Sequence, residues 1–201
     1  MKAVANRKLC IGYFYTDGFV HPHPPIMRNM NRTLQALKKN GHKIVEFKFP
    51  DPIAANDLVN RIFHMDGGND IGTTAAKSGE PIHPNIKLFT GVGNAEPLTI
   101  SQLWELNIER YAYQTKFLEY WNSVKSPSGE QLDAIICPAS ASAAIPHNEF
   151  KSASYTAWVN LMDLPSTVIP TGFADKSKDI VNTNFVPIDE KDAEFQKMCM
   201  F

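Results

Sequence analysis

The residues best suited to chemistry are scattered, and each group lacks a partner in sequence. His21 and His23 flank a proline in His21-Pro22-His23-Pro24-Pro25, which holds both side chains on extended backbone as two potential metal ligands. A zinc site needs a third and fourth donor at a fitting spacing, and neither HExxH nor a neighbouring cysteine pair is present. The expectation is two polar loop histidines and no metal or other cofactor. Cys137 ends an apolar run, the place where α/β folds present ligand contacts. A reactive thiol requires a base or a positive neighbour, and Pro138 with the flanking Ile and Ala supplies neither, so a structural cysteine is expected. GxSxG is absent, so no nucleophile elbow is encoded. Ser78 follows Lys77 in a Gly/Pro-rich stretch, and Ser140 and Ser142 fall just past a strand end, with no base assigned to any of them. Gly67-Gly68-Asn69-Asp70 could cradle a phosphate if it opened a helix. The P-loop and GxGxxG patterns are missing, which favours a turn that terminates a helix.

Composition narrows the classes. Among 201 residues, 43% are hydrophobic and 20% charged, which is globular composition. Twenty Lys and Arg against 21 Asp and Glu leave no basic excess for a phosphate backbone, so no nucleic-acid partner is expected. No apolar stretch approaches the roughly 18 residues of a membrane span, and no signal-peptide pattern opens the chain. Cys10, Cys137 and Cys199 are odd in number and form no CxxC pair. A reduced, cytoplasmic chain is the expectation.

The elements that must position these residues follow from periodicity. Lys8–Tyr15 reads as a buried strand. Pro25 can open a helix because a proline in its first turn costs no intrahelical bond. Ile26, Met30, Leu34 and Leu37 recur at helical spacing until Asn40-Gly41 closes it. His42–Phe49 makes a second strand, and strand–helix–strand in this length is a βαβ unit with parallel pairing. A helix is expected over about 54–65, then mostly loop from Ser78 to Pro97. Thr99-Ile100-Ser101-Gln102 fits a capping box, opening the longest helix, whose Leu103, Leu106, Tyr113, Phe117 and Tyr120 form a core face. Asp133–Pro138 reads as a buried parallel strand, Tyr155–Met162 as a short helix and Ser166–Ile169 as a last strand. The remainder, 174–201, is a polar tail.

Four segments together resemble the amidase signature family, especially its fungal acetamidase and fatty-acid amide hydrolase-like members. They are Leu9–Gly18 with the helix and strand that follow, Ala55–Gly68, Leu132–Pro138, and Tyr155–Pro170. Order and spacing agree over 8–173, which the resemblance makes a partial amidase-like domain corresponding to the C-terminal half of the family domain. It implies an α/β fold with a mixed sheet flanked by helices, starting with the βαβ unit. It also implies a family activity, hydrolysis of carboxylic amides through a Lys–Ser–Ser triad. That triad surrounds a Gly-Gly-Ser-Ser-Gly-Gly run in the other half, and this sequence has no such run. No catalytic residue carries over. What carries over is the wall of the acyl channel, at Phe150, Ala153 and Ala157, where small side chains would widen the space.

Three functions are compatible with these residues. The first is a truncated, pseudoenzyme-like member that binds a small amide or acyl ligand. The second is one part of a split amidase, pairing with a complementary half or with itself through open sheet edges. The third is an enzyme with a repurposed site using Asp17, His64 or Ser140 for acid–base work.

Overall fold

A computed structural model describes residues 7–150, 152–180 and 184–199. In chain order the elements are β1 (Cys10–Tyr13), α1 (Pro24–Lys39), β2 (Lys43–Glu46), α2 (Pro52–Phe63), α3 (Asn69–Ser78), α4 (Pro84–Thr90), α5 (Ile100–Ser123), β3 (Ala134–Ile136), α6 (Ser154–Met162) and α7 (Glu190–Lys197). They sort into two compact units. The first comprises Met1–Pro52, Phe117–Ala144 and Ser166–Phe201, and the second Ile53–Lys116 and Ile145–Pro165. No helix among the described residues is long and apolar enough to cross a membrane.

The first unit is built on a three-stranded sheet in the order β2-β1-β3, parallel throughout, with Ile11 opposite both Ile44 and Ala134. An isolated antiparallel bridge joins Lys125 and Gln131. The parallel pairing of β1 and β2 requires a crossover, and α1 supplies it. Pro24 and Pro25 occupy the first turn of α1, where missing N–H groups cost nothing. Gly41, at φ 85°, ends it. Its N–H donates to the Lys38 carbonyl at 2.9 Å while His42 N–H reaches the Leu37 carbonyl at 3.1 Å. That pair of bonds is the Schellman closure, and the left-handed backbone it needs is why glycine sits there. Phe47, Phe117, Cys10 and Ile11 are buried in this unit.

In the second unit, α5 opens with the reciprocal bonds expected of its capping box. Thr99 N–H donates to Gln102 Oε1 at 2.9 Å, and Gln102 N–H to Thr99 Oγ1 at 3.3 Å. Leu106 on α5 and Tyr155, Ala157, Trp158 and Leu161 of α6 are buried. Gln114 on α5 donates from its side chain to the Leu161 carbonyl at 2.7 Å, satisfying an acceptor near the end of α6.

Two expectations are corrected and a third is refined. The Ser78–Pro97 stretch is mostly loop, as expected, but it holds the end of one helix and the whole of another. Ser78 is the last residue of α3, and α4 follows, with Pro84 in its first turn and His83 accepting the Asn85 N–H. Gly79 and Gly91, both left-handed, are the caps that end these helices, so the glycines and prolines punctuate helices rather than replace them. Ser166–Ile169 forms no strand, and Val168 and Ile169 stand 73% and 66% exposed between Pro165 and Pro170. The polar composition of 174–201 conceals α7, which carries the fully buried Asp192.

Candidate functional site

In the first unit a groove of about 370 Å³ lies at the carboxyl ends of β1 and β2. Open parallel α/β sheets bind ligands outside the carboxyl ends of their strands. Phe14 and Phe47 are buried beneath it, and Tyr13, Tyr15 and Phe49 line it with Pro52. Tyr13 and Tyr15 meet edge to face at 5.3 Å. Asp17, 5% exposed, is the buried carboxylate of this groove. Its Oδ1 accepts the N–H groups of Phe19 at 2.9 Å and Val20 at 3.2 Å, so the side chain organises the turn after β1.

Cys137 follows β3, and burial together with the Asp17 charge pushes its thiol up to about 12. Burial also raises Cys10 and Cys199. A thiol with such a pKa is protonated at neutral pH and makes no nucleophile. An aromatic disulfide reagent at pH 7.5 should therefore find almost no thiol in the folded protein and all three in denaturant. One equivalent of fast-reacting thiol in the native protein would contradict this.

The serines and glycines singled out by the sequence are engaged in local structure. Ser140 Oγ accepts the Ser142 N–H at 3.2 Å, and Ser142 Oγ donates to the Ala144 carbonyl at 2.5 Å. Ser78 Oγ donates to the Ala75 carbonyl. Gly67-Gly68 both follows α2 and opens α3, which corrects the reading of it as only a terminator. Even so, the opening is already filled. Asp66 accepts the N–H groups of Gly68 at 2.8 Å and Asp70 at 3.0 Å, and Val92 packs where a Gly68 Cβ would stand. A carboxylate from the chain itself holds the place a phosphate would take.

His21 and His23 have a role that sequence reading missed. His21 Nδ1 lies 2.6 Å from Asp192 Oδ2, and Asp192 Oδ1 accepts the His21 N–H at 2.8 Å. His23 Nε2 donates to the Phe195 carbonyl at 3.0 Å, and its ring packs on Phe195 at 4.6 Å. Both rings thus dock α7 beside the β1–α1 connection. Only the His-Pro-His spacing was legible, because the partners lie some 170 residues away.

The channel positions inferred from resemblance fall in the second unit. Phe150 is 39% exposed, and its ring meets Phe89 at 5.6 Å. Ala153 is the N-cap residue of α6, and Ala157, one turn on, is 7% exposed. His64, also in this unit, has its Nε2 buried with no hydrogen-bond partner among the described residues. Asp17 and Ser140 belong to the first unit.

The family model described as Amidase matches residues 2–194. The chain belongs to the amidase family. Among its relatives, an acetamidase of Emericella nidulans is 37% identical over 194 residues, covering 96% of this chain and 35% of the relative. An acetamidase of Aspergillus oryzae is 33% identical over 189 residues, covering 94% and 34%. A solved fatty acid amide hydrolase superposes with a TM-score of 0.79 at 25% identity, covering 94% of this chain and 33% of that one. The similarity extends through the fold, and the chain spans about a third of the length of these amidases.

Proposed function

We propose that these 201 residues form the ligand-facing portion of an amide hydrolase, with the Lys–Ser–Ser chemistry supplied by polypeptide outside them. The observation that carries this reading is the segment after α6. Val168, Ile169, Phe173, Ile180 and Val186 are each at least 66% exposed. Several exposed large apolar side chains along one stretch of chain support a surface that another segment covers. The relatives are about three times as long as the matched region, so a complementary amidase portion is the fitting cover. Amide hydrolysis needs an activated nucleophile and an oxyanion hole. Ser78, Ser140 and Ser142 are held in turns and at a helix end, and burial keeps the Cys137 thiol protonated. In this reading Phe150, Ala153 and Ala157 belong to the side that receives a small amide or acyl ligand. The engagement of Asp17 and Ser140 in local turns supports this reading over the repurposed-site alternative, which also named His64.

The test is complementation. The purified 201-residue chain should hydrolyse acetamide no faster than a buffer blank. Co-expression with the portion of the Emericella nidulans acetamidase that precedes the matched region should yield a soluble complex that does hydrolyse it. Turnover by the lone chain, lost on Ser140→Ala or Asp17→Ala, would overturn the proposal.

A further inference from the structure

One side chain of α1 ties down part of the segment after α6. Arg28 lays its guanidinium on Asp179, with Nε donating to Oδ1 at 2.6 Å and Nη2 to Oδ2 at 2.9 Å. The same Nη2 donates to the Phe173 carbonyl at 2.8 Å. The Asp179 side chain is fully buried, and that of Arg28 is 21% exposed. Asp175 N–H donates to Asp179 Oδ2 at 2.6 Å. The N–H groups of Lys178 and Asp179 return to the Asp175 carbonyl at 2.9 and 2.8 Å, so 175–179 closes on itself. Gly172 passes so near α1 that a Cβ there would fall 2.5 Å from Asn29 Oδ1. The loop is thus fixed at both ends against one helix, yet Phe173 and Ile180 stand 91% and 77% exposed. Burying a charged pair carries a desolvation cost that an apolar contact avoids. Here that pair shapes a loop whose two largest apolar side chains face water.

We infer that Arg28 holds the 172–180 loop as a preformed docking surface for the complementary amidase portion, with Phe173 and Ile180 as its two apolar anchors. The inference rests on the complementation reading, and it adds which side chains seat the partner and what shapes them. One guanidinium holds the carbonyl of the first anchor and the carboxylate just before the second, so it fixes the spacing between them. Arginine suits this task because its donors form a rigid planar fork, whereas a lysine ammonium is a compact point charge on a flexible stem. A loop ordered in advance avoids the entropy cost of ordering on association, so more of the apolar contact appears as affinity. Large apolar and aromatic side chains of this kind populate the buried centres of interfaces. The occupant is the polypeptide that the relatives carry beyond the match. The match covers 35% of one and 33% of another, so most of each lies outside it.

The test has two arms. In the lone chain, Arg28→Lys should speed amide hydrogen exchange at Asp175, Lys178 and Asp179 at least about tenfold, while the far-UV circular dichroism stays that of wild type. In the second arm, wild-type and variant chains are co-expressed in competition for a limiting amount of the Emericella nidulans acetamidase portion. Mass spectrometry reads their ratio in the purified complex against their ratio in the cell. Wild type should be enriched about tenfold or more over Arg28→Lys. It should be enriched similarly over Phe173→Ser and Ile180→Ser, whose exposed positions leave the fold intact. Arg61→Lys removes a fork of the same kind, onto Glu109 in the other unit, and should compete evenly. Unchanged exchange in Arg28→Lys would overturn the inference. So would even competition by Arg28→Lys, or by both serine variants. A wild-type chain that captures no acetamidase portion would overturn the complementation reading and this inference with it, which keeps the two failures distinct.

Discussion

Phe47→Ala should destabilise the first unit by about 3–5 kcal/mol, the usual cost of emptying a large aromatic site in a packed core. Phe47 is 1% exposed just beyond β2, and its ring meets Tyr120 at 5.1 Å, Phe117 at 5.8 Å and Trp121 at 6.1 Å. Phe47 therefore joins the β1–β2 layer to the last turns of α5 in the same unit. Its backbone N–H donates to the Tyr13 carbonyl at 2.8 Å, which continues the ladder past the end of β2. A Cβ placed on Gly12 would come within 3.3 Å of Phe47 Cβ, so the neighbouring strand is already at closest packing. Little movement is available to fill the hole, which puts the loss toward the upper part of the range. Urea unfolding, read in the near-UV signal of the aromatic cluster, measures it. Tyr120→Phe is the companion variant, since it keeps the ring and removes only an acceptor 3.3 Å from the Lys48 N–H. It should cost less than about 1 kcal/mol. A loss below about 1 kcal/mol for Phe47→Ala would mean that the cluster closes over the gap and is not a rigid joint.

The parts of this fold that periodicity and caps announce are those where one face is apolar and both ends carry a stop. β1, α1 and β2 were legible because Pro25 and Asn40-Gly41 bracket a clear helical stripe. α5 was legible from Thr99 and Gln102. α3 and α4 were hidden because glycine and proline density reads as loop, although Gly79, Pro84 and Gly91 stand at helix ends. Thr167-Val168-Ile169 has strand composition, but a strand also needs a ladder partner, which composition does not report. α7 was least legible. It has no apolar stripe, and its buried contact is a carboxylate whose partners lie near residue 21. The groove was legible only as a strand-end location: the βαβ reading paired β1 with β2, but chain order does not show that Tyr13, Asp17 and Lys48 line one groove there. The histidines drew attention as metal ligands, yet their spacing could not reveal that α7 uses them.

Asp192→Ala should release α7 and cost about 2–4 kcal/mol, because it leaves several partly buried donors without an acceptor. Asp192 is fully buried and accepts from Ile188 N–H at 2.9 Å, His21 N–H at 2.8 Å and the His21 ring at 2.6 Å. Gln196 closes the same junction by donating to the His21 carbonyl at 2.6 Å. Burial works to raise the Asp192 pKa, but the hydrogen bonds from Ile188 and His21 together outweigh it and hold the carboxyl below its ordinary 3.8. A carboxyl whose folded pKa is depressed binds fewer protons folded than unfolded. Its stabilisation is therefore present above pH 3.8 and fades as pH falls toward the folded value. His23 acts in a higher window. Burial lowers its pKa from 6.5 despite the bond to Phe195, so the folded state keeps the ring neutral while the unfolded chain takes up a proton. Stability from that source falls as pH drops below 6.5. Stability measured by urea unfolding from pH 7 to pH 3 should thus decline in two stages. Asp192→Asn keeps one carbonyl acceptor and cannot titrate, so it should lose less than Asp192→Ala at pH 7. Its curve should also approach the wild-type curve below pH 4, while the decline that begins near 6.5 persists. His23→Gln should remove that upper decline and leave the lower one. Parallel curves for Asp192→Asn and wild type over the whole range would show that the carboxylate does not hold α7 through its charge.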